Sequence, residues 1–475
     1  MTLKKILPLF VSSVLATSTV SAAVQLIAVG SIDGNYRDLN TQTAAPLENG
    51  VAGNLFGGIG SGLAYAGGTT FLGLPDRGPN ANAYNSQVDD TSSYILRFHT
   101  LNLNLAPSSP GASLPFVLTP TLRSTTLLSS PTPLVYGSGA GLGVGPGAPT
   151  LNKMNHTHYF TGRSDNFDPT KPSTNPANAR MDPEGIRVSN NGHSVYVSDE
   201  YGPYLYEFNR VTGKRTHAFK LPDNLAITTL SSQKEVEIDS NAVGRTTNKG
   251  MEGLAITPDG KTLVGIMQAN LKQDKKKSLR IVTIDIGSGV THEYAYQLTE
   301  GSGVSEIVAI NNHQFLLDER KGSGFADTPL NEDEASPAKI KQLYLIDLNG
   351  AIDVTNLSGD LSAYAVPKTL WLDLVSELNA NGIDSYLIPS KIEGVAFGQD
   401  VVMNGETLHT LFIANDNDFL GTVADPHGVA GDPARGTVAN PNQFYVFGFS
   451  DDDLPGYMAQ SVKPVAEMRC ARKNK

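Results

Sequence analysis

The sequence predicts an all-β protein: a β-propeller of six blades, with five to seven compatible with the repeat, carrying a long loop insertion. Two observations predict it. A hairpin with acidic ends recurs along most of the chain, and a second pair of strands follows it each time, giving the four strands of a propeller blade. Glycine and proline are abundant, 47 and 28 residues, which suits many short strands joined by turns.

The hairpin is clearest in Met181–Phe208. Asp182, Glu184 and Gly185 open a strand, Asn191-Gly192 turns the chain, and Ser194–Ser198 ends in Asp199-Glu200. Asn-Gly between apolar runs is a hairpin signal. The start of the first strand and the end of the second then lie side by side. Met251-Glu252-Gly253 leads likewise through Pro258-Asp259-Gly260 to Met267 and Gln268. Ser305-Glu306 leads through Asn311-Asn312 to Asp318-Glu319-Arg320, and Lys391-Ile392-Glu393-Gly394 leads to Asn415-Asp416-Asn417-Asp418. A weaker copy, Gly60-Ser61-Gly62, leads to Asp76-Arg77-Gly78. The irregular spacing of these units is read as insertions between blades.

From the start, Lys4 and Lys5 precede an apolar run, Ile6 to Leu15, and Val20-Ser21-Ala22 offers small residues for cleavage. This is an export signal over 1–22, with a mature start near Ala23 and a periplasmic or secreted destination. The apolar run is too short to span a bilayer stably. Cys470 is the only cysteine, so an intrachain disulfide and a multi-cysteine metal site are excluded. The propeller is assigned to 23–450 and a C-terminal tail to 451–475, with its last residues, from Arg469, basic and frayed. Val24–Val29 is expected to close the ring beside a strand such as Gln443–Phe449. Tyr94–His99 and Phe116–Leu118 read as strands. Residues 129–180, rich in proline and glycine, read as an insertion over one face, with a short strand at Thr157–Thr161. Outer hairpins follow at Pro203–Phe208 with Thr216–Leu221, Leu279–Ile286 with His292–Leu298, and Gln342–Leu348 with a partner. One helix is predicted, over Leu370–Leu378, from its apolar face. His156-x-His158 lacks a third His or Cys ligand and reads as a loop pair.

A propeller gathers the inner hairpin ends at one channel mouth. That brings Glu184, Glu252, Glu306 and Glu393 together, with Asp76, Asp199, Glu200, Asp318, Glu319, Asp416 and Asp418 nearby. So many carboxylates cannot all stay ionised without compensation. A divalent cation supplies it, and oxygen-only ligands on a flexible ring favour calcium. Arg77, Lys249, Arg320, Lys321 and Lys391 sit beside these acids and could neutralise them or hold a phosphate. Acid, base and metal together are the parts of metal-assisted phosphoester hydrolysis. The competing reading makes the acids hairpin devices bonded to nearby amides. The formal charge of −11 argues against nucleic acid as a partner, and no Gly-x-Ser-x-Gly elbow is present for a serine nucleophile.

The segments Phe160–Asp168, Met181–Ile186, Ser198–Tyr206, Lys249–Ala255, Glu319-Arg320, Lys391–Phe397 and Asn415–Phe419 together resemble the bacterial phytase-like family, described by its esterase-like activity of phytase. The resemblance covers most of the mature chain. It implies a propeller and a phosphoester hydrolase acting on a small anionic substrate. The first unit departs from the pattern, with Gly62 where the others carry Glu. On this reading Glu184, Glu252, Glu393 and Arg320 are the catalytic candidates, and Arg77, Lys249 and Lys391 hold substrate. Asp76, Asp182, Asp199, Glu200, Glu306, Glu319, Asp416 and Asp418 hold metal. A calcium-dependent esterase or lactonase, or a non-catalytic ligand-binding propeller, are the alternatives.

Overall fold

The computed structural model describes residues 24–80, 82–153, 156–326, 336–428, 432 and 434–465. The export signal predicted over 1–22, Cys470 and the basic end of the tail lie outside the described residues. Among the described residues no helix is long and apolar enough to cross a membrane.

Five antiparallel sheets form five blades. Blade 1 is Gly62–Tyr65, Thr70–Leu74, Arg97–Pro107 and Phe116–Leu127. Blade 2 is Pro183–Val188, Ser194–Asp199, Leu205–Asn209 and Arg215–Ala218. Blade 3 is Met251–Ile256, Thr262–Met267, Ser278–Asp285 and Thr291–Gln297. Blade 4 is Gly303–Ala309, Gln314–Arg320, Lys341–Asp347 and Lys368–Asp373. Blade 5 is Ile392–Phe397, Glu406–Asn415, Asn442–Phe449 and, outermost, Gln25–Ile32. The N-terminal strand pairs with the C-terminal one as anticipated, Gln25 opposite Gly448 and Ile32 opposite Asn442. The count is five rather than the favoured six because these closing strands complete the Glu393 blade instead of building another.

The first strand of each blade packs on the first strand of the next, making a closed inner ring. Each wedge between neighbouring blades holds one apolar cluster. Leu72 and Phe98 meet Ile186 and Phe208 between blades 1 and 2, for example, and Leu316 and Leu343 meet Val395 and Leu411 between blades 4 and 5. The glycine that follows Glu184, Glu252 and Glu393 is explained by this ring. A Cβ on Gly253 would lie 2.7 Å from the Glu306 Cα, and one on Gly185 would lie 2.7 Å from the Leu254 Cβ. Only a residue without a side chain lets inner strands of a five-bladed ring approach this closely.

The described residues of 129–180 lie beside blades 1 and 2, with Ser129–Ser130 paired to His158–Tyr159. Leu370 is exposed on a strand rather than helical. The helix is Leu374–Ala380, because Asp373 caps it by accepting from the Ser376 amide at 2.9 Å. A further short helix, Lys234–Asp239, buries Glu237. Residues 451–465 cross the far mouth of the channel: Met458 N donates to Ile310 O at 2.8 Å, Gln460 Nε2 to Val188 O at 2.8 Å, and Lys463 N to Asn190 O at 2.9 Å.

Candidate active site at the channel mouth

The acid-bearing strands share one local device. The pairing register slips at Pro183/Ile186, Met251/Gly253, Val304/Glu306 and Ile392/Gly394, the places where the four units carry Glu. Such a bulge re-aims a side chain out of strict alternation. Blade 1, with Gly62, runs without a bulge.

Asp76, Asp182, Glu184, Glu200, Glu252, Glu393, Asp416 and Asp418 converge, and all but Asp418 are buried. Ligand oxygens of Asp182, Glu184 and Glu200 lie within 4.8 Å of one another, as do those of Asp76, Asp416 and Asp418. Arg77 joins the two groups. It follows Asp76 in the chain, its Nη1 donates to Asp182 Oδ2 at 2.7 Å and to Asn248 Oδ1, and its backbone N–H donates to Asp182 Oδ1 at 3.1 Å. Among the described residues, its buried Nε has no partner. Lys391 Nζ donates to Asp416 Oδ2 at 2.6 Å and to Asp418 Oδ1 at 2.7 Å. Arg320 donates from Nη2 to Glu393 and from Nε to Ser305 Oγ, and its Nη2 lies 3.9 Å from Glu252 Oε1. Gln268 Nε2 donates to Glu252 Oε1 at 2.8 Å, while Glu252 Oε2 is buried with no donor of its own. Among the described residues, eight carboxylates therefore face three partly buried cationic groups, Arg77, Arg320 and Lys391.

Burial is the main influence on every one of these acids that shifts. It raises Glu393 to about 8, against the opposing pull of Arg320 and Lys391. Burial and then the Glu252 charge lift Glu184 and Glu200 well above the usual carboxylate range, and burial with Asp416 does the same to Asp76. Burial also disfavours the charge on Lys391, but Asp416 and Asp418 outweigh it and hold the ammonium charged.

Other predicted residues lie elsewhere. Asp199 accepts from the amides of Asp182, Tyr201 and Gly202 at 2.9–3.0 Å, so it shapes the turn. Glu306 turns down the channel to the Leu254 and Ile307 amides, both at 2.9 Å, and to Arg187. Glu319 faces blade 3 and is surrounded by Lys368 Nζ of its own blade, Tyr296 Oη of blade 3 and the Thr299 and Gly301 amides. Lys249 is exposed. Asp318, buried with both oxygens unpartnered, lies behind Arg320 and is pushed up to about 7 by burial. Asn248 and Ser305, not anticipated from the sequence, hold the two arginines.

A family model described as phytase-like, esterase-like activity of phytase, matches residues 54–419. The chain belongs to this phytase-like family. The matched range takes in every converging acid and stops short of the two closing strands. An uncharacterized secreted protein of Arthroderma benhamiae is 34% identical over 136 residues, which is 25% of this chain and 26% of the fungal protein. The chain thus matches about a quarter of that relative's length. Among solved structures, the Pseudomonas aeruginosa periplasmic gluconolactonase aligns over 90% of this chain and 99% of its own, at 10% identity and a TM-score of 0.33. The PQQ-bound aldose sugar dehydrogenase of Streptomyces coelicolor aligns over 88% and 98%, at 11% identity and a TM-score of 0.29.

The raised carboxylates make stability depend on pH. Glu306 and Glu393 rise to about 8 and Asp199 and Asp318 to about 7, burial being the first cause in each. A carboxyl whose folded value exceeds its unfolded one favours the folded state while protonated, and this contribution is lost as pH rises through the folded value. In EDTA the melting temperature is therefore expected to fall between pH 5 and pH 8.5. Calorimetry in chelator across that range checks it, and a flat profile would show that these carboxyls titrate normally.

Proposed function

We propose that this phytase-like propeller is an exported phosphoric ester hydrolase that uses a divalent cation, calcium by its ligand chemistry, at the acidic mouth. One observation carries the reading: an excess of buried carboxylates over cations at a single mouth, with Glu252 Oε2 aimed at no donor. The oxygens of Asp182, Glu184 and Glu200 fit a hard cation, which would polarise a phosphate oxygen and lower the pKa of an attacking water. The residues themselves divide the remaining work. Glu252 accepts a proton, with Gln268 fixing its other oxygen. Arg320, steadied by Ser305 and Glu393, and Arg77, with a free Nε donor, meet the anionic group. Glu184 and Glu393 complete the negative ring, and exposed Lys249 meets the substrate as it arrives. The basic–apolar–small start and a relative named as secreted support export.

A panel of phosphomonoesters, phosphodiesters, aryl esters and lactones, each assayed with calcium and with chelator, tests this. Calcium-dependent turnover of phosphoesters is expected. Turnover of lactones or aryl esters alone would replace the substrate class, and turnover of none would favour a ligand-binding propeller. Calcium should also stabilise the fold by about 2.7 kcal/mol at a hundredfold excess over its dissociation constant. Equal melting temperatures in calcium and EDTA would remove the metal from the reading.

A further inference from the structure

Lys391 immediately precedes the inner strand of blade 5, and its backbone carbonyl is tied to the Asp416 amide at 3.0 Å. Its stem is thus anchored beneath Asp76, Asp416 and Asp418. The ammonium lies 2.6 Å from one of these carboxylates and 2.7 Å from another. Calcium binds oxygen ligands at about 2.3–2.6 Å. Nitrogen and calcium would therefore occupy nearly the same point and exclude each other. The other acidic group differs. Arg77 binds only Asp182 there, from the side, and among the described residues no cationic side chain is hydrogen-bonded to Glu184, Glu200 or the unpartnered Glu252 oxygen.

We infer that the Lys391 ammonium is the resident cation of the Asp76–Asp416–Asp418 triad, standing where a second divalent ion would otherwise bind. The mouth then carries a built-in cation beside one exchangeable site. Two of the three ammonium N–H groups are used on Asp416 and Asp418, which leaves a third to give an anionic substrate group. This rests on reading the mouth as the functional site, but not on the metal proposed for its other half.

Calcium stoichiometry, measured by isothermal titration on the full chain, tests it. Lys391→Met keeps the apolar stem and removes the charge. It is expected to bind one calcium more per chain than the parent, whatever number the parent binds, and Lys391→Met/Asp416→Asn is expected to lose that gain. A folded Lys391→Met protein that gains no site overturns the inference. A second arm does not depend on that variant folding: Asp416→Asn alone should leave calcium stoichiometry unchanged. Loss of one equivalent there would show that the triad itself holds calcium with Lys391 displaced. A parent that binds no calcium, with a gain in Lys391→Met, would sink the proposed metal site while supporting the lysine's role.

Discussion

Glu252→Gln is expected to lower turnover about 10²-fold or more while the propeller stays folded. Glu252 is held from two sides. Its Oε1 accepts from Gln268 and lies within ion-pair reach of Arg320, and its Oε2 is buried with no donor. Glutamine keeps the shape and can still accept from Gln268, but it cannot take a proton or bind a hard cation strongly. The stability cost should be small or reversed in EDTA, because the change removes one charge from a ring already crowded with like charge. If Glu252 only braced its hairpin, the loss would be near 1 kcal/mol of stability with turnover kept. Kinetics on the best substrate of the panel, alongside thermal melts, separate the two. Near-normal turnover in a folded variant would refute the catalytic role.

The repeated hairpin made the architecture readable before any coordinates, because acids at both hairpin ends are a pattern that turn chemistry alone does not demand. The blade count was less readable. The terminal strands carry no acidic hairpin, so nothing in Gln25–Ile32 or Asn442–Phe449 says that they finish an existing blade. Within the site, strand alternation could have removed Glu319: neighbours on a strand face opposite sides, so Glu319 and Arg320 cannot both reach the mouth. Glu306 could not have been removed that way, because its bulge decides its direction and bulges leave no reliable mark in sequence. Asn248 and Ser305 act through single contacts from ordinary-looking segments. Arg187 did leave a mark, a charge in the middle of the apolar run Gly185–Val188.

That arginine carries the largest expected effect on stability. Arg187 points into the channel waist, where its Nη1 donates to Leu63 O and Ile186 O at 2.6 Å, and its Nη2 to Ile307 O at 2.9 Å and Val395 O at 3.3 Å. Those carbonyls belong to blades 1, 2, 4 and 5. The Nη2 also lies 3.0 Å from Glu306 Oε2, and Glu306 in turn accepts from the Leu254 amide of blade 3. One side chain thus ties the inner ring together where it is narrowest. Arg187→Met would fit the space but deprive four carbonyls of a donor and, above the raised Glu306 value of about 8, leave that carboxylate buried without its cation. Breaking a buried pair from one side typically costs about 3–5 kcal/mol, and each orphaned buried acceptor adds about 1–3 kcal/mol. Urea unfolding should therefore show a loss of at least about 3 kcal/mol, or no stable fold. Arg187→Met/Glu306→Gln should recover part of it, since the uncompensated charge is gone while the carbonyls remain unpaired. A loss below about 1 kcal/mol in the single variant would mean that the ring is held by strand packing alone and that Arg187 is replaceable.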